Sequence, residues 1–215
     1  MKRHLIALMS ACLSLSSAQV RASIIDGNGQ NIAIPYDFDG IYLNVQTGAT
    51  AFAQPGTWAT EPWLNPFFGG TVIGNSASFL PIITGADQIV NLAFGTSIGA
   101  GGNFVAGPSG SSTHTGPAGN QFQVGVTGYI GYKFQWPGGG GQDHYGWMGV
   151  TVNDVGTGSI VNWAYENTAG TSILAGAVSG IPEPAQACCA LLLAMPGACV
   201  LIRRRRQRGN DRQAA

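Results

Sequence analysis

Between Arg21 and Arg203 the chain carries one lysine, Lys133, and no arginine. That poverty of cations excludes nucleic-acid binding, because neutralising phosphates takes several Lys and Arg side chains. Cysteine is absent from Ser23 to Glu183: Cys12 lies before that stretch, and Cys188, Cys189 and Cys199 lie after it. The central region therefore forms no disulfide and no cysteine metal site, and it folds by packing alone. No segment of it sustains a 3.6-residue apolar period, and no internal repeat is visible. Lys, Glu and Leu are scarce there, while Gly, Thr, Asn, Ser, Val and Ile abound. That balance disfavours helices and favours short strands joined by many turns.

The formal net charge of +0 conceals an asymmetry. From Ser23 to Glu183 one basic side chain faces nine acidic ones, a net of about −8. A body so charged stays soluble and repels polyanions. At roughly 160 residues it is long enough to bury a full core as one domain. We expect three regions: a leader at 1–22, a β domain at 23–178 and a tail at 179–208.

The leader begins with Lys2, Arg3 and His4, continues with an apolar run from Leu5 to Leu15, and reaches small residues in Val20-Arg21-Ala22. This is the layout of a secretory signal peptide cut after Ala22, with Ala18 the weaker alternative. The run is too short to span a bilayer, which takes about 20 residues. Met9-Ser10-Ala11-Cys12 loosely resembles a lipoprotein cleavage site, but the apolar run before Cys12 is short for one.

The tail orders three features: Ile181-Pro182-Glu183-Pro184, an apolar stretch from Ala185 to Ile202, and a basic cluster, Arg203 to Arg206 with Arg208. Eighteen helical residues reach roughly 27 Å, close to the hydrocarbon thickness of a bilayer. We expect a single transmembrane helix at 185–202, kinked at Pro196-Gly197, with the arginines on the cytoplasmic side. An ordinary single-span anchor would also have an apolar segment and a basic stop. The Pro-Glu-Pro motif in front is the additional feature, and the tail resembles the sorting signal of PEP-CTERM proteins over about residues 181–208. The resemblance implies that an exosortase in the inner membrane recognises Pro182, Glu183 and Pro184, cuts near them, and releases the body to the surface or extracellular matrix. It implies a Gram-negative-type host, often one that makes exopolysaccharide. Arg203, Arg204, Arg205 and Arg206 are then the stop of the sorting signal. Short blocks of the body, Gly40-Ile41-Tyr42-Leu43-Asn44-Val45 and Trp163-Ala164-Tyr165-Glu166-Asn167-Thr168 among them, resemble blocks of uncharacterised PEP-CTERM proteins and imply no activity.

In the body, Tyr129–Gln135, Tyr145–Asn153 and Ser159–Tyr165 alternate apolar and polar residues and are separated by Gly- and Asp-rich breaks, which predicts an antiparallel meander. Val161, Trp163 and Tyr165 are expected on one face. Shorter strands are expected at Ser23–Asp26, Ile32–Pro35, Ile41–Val45, Thr71–Ile73, Ser78–Pro81, Ile89–Ala93, Phe122–Val126 and Ile173–Ala177. Gly95 to Gly119 reads as a long exposed loop with one short strand near Phe104-Val105. The expected fold is all-β, an antiparallel β-sandwich of jelly-roll-like kind.

Four groups of residues could carry chemistry. Asp26, Asn28 and Gln30 alternate, with Asp37 and Asp39 close behind, and alternating oxygen side chains in a loop can bind Ca²⁺. The same Asp, Asn and Gly residues are what two β-turns require, and the bidentate Glu of an EF-hand is missing. Trp58 and Trp63, with Phe67 and Phe68, form an aromatic cluster in a Pro- and Gly-punctuated segment. It can stack on sugar rings if exposed, or fold back on the core. His114 and His144 are the body's only histidines, too few for zinc without cysteine, and are expected in exposed loops. Pro108-Ser109-Gly110-Ser111-Ser112 is no nucleophile elbow, since a strand-to-helix turn is not expected there. Paired carboxylates of glycosidase type cannot be recognised from spacing alone. The expected role is non-enzymatic: structural or adhesive first, carbohydrate binding second, with a polysaccharide hydrolase third.

Overall fold

The computed structural model describes residues 23–70, 72–75, 79–83, 88–106, 109–110, 115–116, 121–135, 138, 140–153 and 156–179. The strands in chain order are β1 (Ile24–Asp26), β2 (Ile32–Ile34), β3 (Tyr42–Asn44), β4 (Thr50–Ala51), β5 (Trp63–Phe67), β6 (Val72–Asn75), β7 (Phe79–Pro81) and β8 (Ser97–Ile98). There follow β9 (Ser109–Gly110), β10 (Thr115–Gly116), β11 (Phe122–Gln123), β12 (Thr127–Phe134), β13 (His144–Val152), β14 (Gly158–Glu166) and β15 (Ile173–Leu174). Helical structure among the described residues is limited to 3-10 geometry, at Phe68–Gly70 and at Gly138. The chain is therefore all-β there, and its pairings are antiparallel except for the two-residue parallel pair β10–β11. All fifteen strands lie before the boundary between two units at Gly176 and Ala177.

The long meander forms as its alternation predicts. β12, β13 and β14 are the longest strands and sit together at the centre of a sheet ordered β1-β14-β13-β12-β7, with β2 also on β14. Ile130, Tyr132 and Phe134 of β12 point into the core with Met148 and Val150 of β13. On β14 the alternation breaks. The register slips between Gly149 and Val150, so Gly149 pairs with Asn162 while Val150 pairs with Ile160. This bulge adds a residue to β14 and puts Ile160, Trp163 and Tyr165 in one core. Val161 is half-buried and outside that core, which corrects the expectation that it shares a face with Trp163.

A second sheet is ordered β4-β3-β5-β6-β9. Its Leu43, Leu64 and Ile73 join the same core as the meander, so one apolar cluster serves both sheets. The Trp163 indole Nε1–H donates to the Val45 carbonyl at 3.2 Å and ties β14 to the turn after β3. Aromatic rings fill much of the interior: Phe79 lies 4.6 Å from Tyr132, and Tyr165 meets Phe134 edge-on at 5.2 Å, ring centre to ring centre. Such pairs contribute about 0.5–1.5 kcal/mol each beyond the area they bury.

The outer face of β13 is buried too. Tyr145 and Trp147 are covered, the Phe104 ring lies 5.8 Å from Tyr145, and Ile82, Leu92 and Ile98 lie over Gly131. Segment 95–106 is thus partly a lid on the sheet rather than the exposed loop expected. Ile98 is fully buried, and Ser97–Ile98 pairs with β15. Ile89–Ala93 makes isolated bridges at Ile89 and Leu92 instead of a strand. Trp63–Phe67, expected to be loop, is the middle strand of the second sheet.

Candidate functional site

The β2–β3 connection and the 3-10 turn gather four aromatic rings, of which Tyr36 and Phe38 are exposed. The β2–β3 connection, Pro35 to Gly40, is closed by the Gly40 N–H donating to Asp37 Oδ1 at 2.6 Å. Gly40 sits at φ 59°, and a Cβ there would lie 2.5 Å from Phe67 Cβ, so glycine is required. The loop is pinned to the 3-10 turn by Phe68 N–H to the Asp37 carbonyl and Gly69 N–H to the Pro35 carbonyl, each at 3.4 Å. These bonds hold Tyr36, 64% exposed, and Phe38, 82% exposed, around Phe68. The ring centres are 5.6 Å apart for Tyr36 and Phe68, 4.8 Å for Phe38 and Phe68, and 5.4 Å for Phe67 and Phe68. Phe68 adopts φ 48°, a left-handed conformation that a bulky residue rarely takes and that costs of order 1–3 kcal/mol. The chain thus holds a strained backbone to display a ring between two others, flanked by the exposed Asp37 and Asp39. An exposed apolar patch with polar neighbours is the mark of an interaction surface.

The residues considered for Ca²⁺ act as turn formers. Asp26 Oδ1 accepts the Asn28 N–H at 2.8 Å, with Asn28 at φ 52° and Gly29 at φ 68°. Asp37 Oδ1 closes the next turn as described above. Gln30 donates its N–H to the Gly27 carbonyl. Among the described residues no three His, Cys, Asp or Glu side chains stand together as a metal site, so Asp26, Asp37 and Asp39 do not share one. Turn chemistry accounts for both loops.

Trp63 corrects the sugar-stacking expectation at its position. It is 7% exposed and begins β5. Its Nε1–H reaches Thr57 Oγ1 at 3.0 Å and Glu61 Oε2 at 3.2 Å. Glu61 Oε2 also accepts the Asn44 Nδ2–H at 3.0 Å, so Trp63 belongs to a polar corner that braces the turn after β3. Trp58 is half-buried and meets Tyr42 edge-on at 5.2 Å. The burial of Tyr42, and then the negative charge of Asp39, raise the Tyr42 phenol above its ordinary pKa. Among the described residues the exposed rings include Tyr36 and Phe38 at the Asp37–Asp39 turn, and Phe52 and Phe94 elsewhere, none of which is among the aromatic candidates.

His144 is not in an exposed loop. It opens β13, is 3% exposed, stacks at 5.8 Å on Phe134, and places Nδ1 3.0 Å from the Glu166 carbonyl. β13 starts one residue earlier than expected, and the pairing of Phe134 with His144 draws the ring inward. Next to it, Asp143 forms an ion pair with Lys133 at 3.1 Å and accepts the Gln135 amide N–H at 2.6 Å. Burial alone would raise the Asp143 pKa. The hydrogen bonds from Gln135 and Lys133 and the lysine charge outweigh that and hold it below its usual value.

Glu166, at the end of β14, is 1% exposed. Its Oε1 accepts two backbone N–H groups, from Ser23 at 2.9 Å and from Thr168 at 2.8 Å. Its Oε2 is buried and has no hydrogen-bond partner among the described residues. The Asn167 N–H returns a bond to the Ser23 carbonyl at 2.9 Å, so the first described residue is held on both sides.

His114 and the sorting residues Pro182, Glu183, Pro184 and Arg203 to Arg206 lie outside the described residues, as do the expected leader and the 185–202 helix. Among the described residues no helix is long and apolar enough to cross a membrane. No family model, no curated protein and no solved structure matches the chain.

Proposed function

We propose that this chain is an exported protein of PEP-CTERM type, a structural or adhesive component of the cell surface or extracellular matrix. The observation that carries the reading is the fixed order Pro182-Glu183-Pro184, apolar 185–202 and Arg203 to Arg208 behind an acidic β body with a leader in front. On this reading the leader sends the body across the inner membrane, the 185–202 helix moors the precursor, and an exosortase cuts near Glu183. The two antiparallel sheets and their single core support reading the body as a jelly-roll-like β-sandwich. A body closed by packing, with a net charge of about −8 and the Tyr36 and Phe38 rings exposed side by side on Phe68, suits a soluble component that makes contacts through that patch. The test is the intact mass of secreted and cell-retained protein from an exosortase-bearing host. Secreted material should have lost the leader and the tail near Pro182 to Pro184. A cytosolic chain with both ends attached refutes the proposal.

The exposed Tyr36 and Phe38 rings, packed on the half-buried Phe68, favour a second reading, carbohydrate binding. Flat apolar faces flanked by carboxylates match a sugar ring, which has apolar C–H faces and hydroxyl edges. Exopolysaccharide is the natural ligand on this view. Glycan-array binding by the exported chain should fall at least about tenfold in Phe38→Ala, as for loss of a central aromatic anchor. Binding that survives Phe38→Ala and Tyr36→Ala unchanged removes this reading.

A further inference from the structure

The buried carboxylate of Glu166 is half-satisfied in an unusual way. Two backbone amides converge on Oε1, and none of the described groups reaches Oε2 with a hydrogen bond. A buried carboxylate in this state is costly unless a cation joins it. The body supplies none by side chain: Lys133 is its one basic residue apart from histidine, and it is paired with Asp143. The neighbouring His144 ring turns its Nδ1 to the Glu166 carbonyl oxygen rather than to the carboxylate.

The nitrogen already lying 2.9 Å from Oε1 belongs to Ser23. Ser23 is also the residue that follows Val20-Arg21-Ala22, the cleavage pattern of the leader. Hydrolysis of the Ala22–Ser23 bond consumes one water and leaves a carboxylate on Ala22 and an ammonium on Ser23. The single neutral N–H at that nitrogen becomes three N–H donors and a positive charge. Charge and added donors are what a buried carboxylate with an unfilled oxygen lacks. The cleavage pattern comes from the leader and the carboxylate from the end of β14. The two are 143 positions apart, yet they meet on one atom.

We propose that Glu166 is the receptor for the α-ammonium that leader removal creates on Ser23. The inference rests on the reading of residues 1–22 as a cleaved leader. Its consequence is that processing completes the fold. In the precursor β1 is held to β14 by ladder bonds and one amide-to-carboxylate bond. In the mature protein an ion pair between the exposed Ser23 terminus and the buried Glu166 carboxylate clamps the same edge, so the body is more stable after export than before it.

The test uses the full chain, exported and processed by a host signal peptidase. Intact mass and N-terminal sequencing identify the first residue. Brief stoichiometric periodate then cleaves the amino-alcohol of a free N-terminal serine, leaving a glyoxylyl group and releasing formaldehyde and ammonia. The reaction removes the ammonium and touches no internal serine, and Ser23 is exposed to it. In the wild type the loss of the ammonium should lower Tm by about 3–8 °C, as expected when a buried carboxylate loses its part-buried charged partner in a domain of this size. In Glu166→Gln the same treatment should change Tm by under about 2 °C. An equal fall in both proteins, or no fall in the wild type, overturns the proposal while leaving the leader reading intact. A mature chain that starts at Gln19 overturns the proposal and keeps the leader reading, and one that retains the leader overturns both. Should Glu166→Gln not fold, acylation of the wild-type α-amine near neutral pH decides. It should run at least about tenfold slower in the folded chain than in urea, because the paired ammonium gives up its proton less readily. Equal rates overturn the proposal.

Discussion

Gly146→Ala is the sharpest test of how the core is assembled. Gly146 lies in β13 opposite Tyr165, and the Tyr132 ring from β12 crosses directly over it. A Cβ at this position would stand 2.6 Å from Tyr132 Cζ, closer still to Cε2, and 2.6 Å from the Ala164 carbonyl oxygen. Carbon atoms rest at about 3.5–4.0 Å, so the ring would have to retreat by roughly an ångström. It has nowhere to go: Tyr132 is fully buried beside Phe79 and Phe134, and its hydroxyl donates to the Ala164 carbonyl at 3.1 Å. Overpacking of this kind costs about 1–3 kcal/mol, and losing the buried hydrogen bond adds about 1 kcal/mol. The sum, about 2–4 kcal/mol, should lower Tm by about 5–15 °C. The assay is urea and thermal unfolding followed by tryptophan fluorescence, since Trp147 and Trp163 are buried. Tyr132→Leu removes the ring atoms that the methyl meets. In that background Gly146→Ala should cost at least about 1 kcal/mol less than in the wild type. A Gly146→Ala protein within about 0.5 kcal/mol of wild type, or no coupling to Tyr132→Leu, refutes the packing argument.

Three further outcomes are expected. Burial raises the Tyr132 phenol well above its ordinary pKa of 10.0, with the neighbouring Tyr165 adding to the effect; burial also raises Tyr165. Because the folded state holds these protons more tightly, stability is full below pH 10 and falls as pH rises beyond it; tyrosinate absorbance from Tyr132 should appear only together with unfolding. Asp143 acts at the other end: its folded pKa is depressed from 3.8, so its contribution is present above that pH and is lost as pH falls through the lower folded value. Lys133→Met should remove part of that acid dependence in stability measured between pH 5 and pH 2. Millimolar Ca²⁺ should leave Tm unchanged, because Asp26 and Asp37 are committed to their turns; a calcium-dependent rise would restore those loops as ligands.

The meander was legible because β12 and β13 each carry enough alternating residues for the period to show, and their partners follow closely in sequence. Its misplaced face, at Val161, came from a bulge, which shifts alternation without leaving a composition signal. Trp63–Phe67 was hidden by Pro62 and Pro66, which argue against a central strand. The strand survives because its ladder with β3 covers only Trp63 and Leu64, so Pro66 interrupts no rung there, and the Pro66 carbonyl still accepts the Ile41 N–H. The aromatic patch was half-legible. Asp37-Phe38-Asp39-Gly40 marks a turn, and a turn exposes what lies between its aspartates, but the aromatic candidates were sought at Trp58, Trp63, Phe67 and Phe68 instead. His144 followed a Gly-rich break, and only its pairing with Phe134 turns it inward. Glu166 gave no local signal at all, since its meaning depends on a residue at the far end of the domain.

The lone cation pair on β12 has a practical consequence. From Ser23 to Leu201 a protease of trypsin specificity finds a single candidate bond, Lys133–Phe134, and it lies inside a strand paired on both sides, with the lysine head occupied by Asp143. The folded body offers such enzymes no accessible cleavage site at its one lysine. Once denatured it yields two large pieces rather than a peptide ladder, so digestion for mass spectrometry calls for cleavage at aromatic or acidic residues instead.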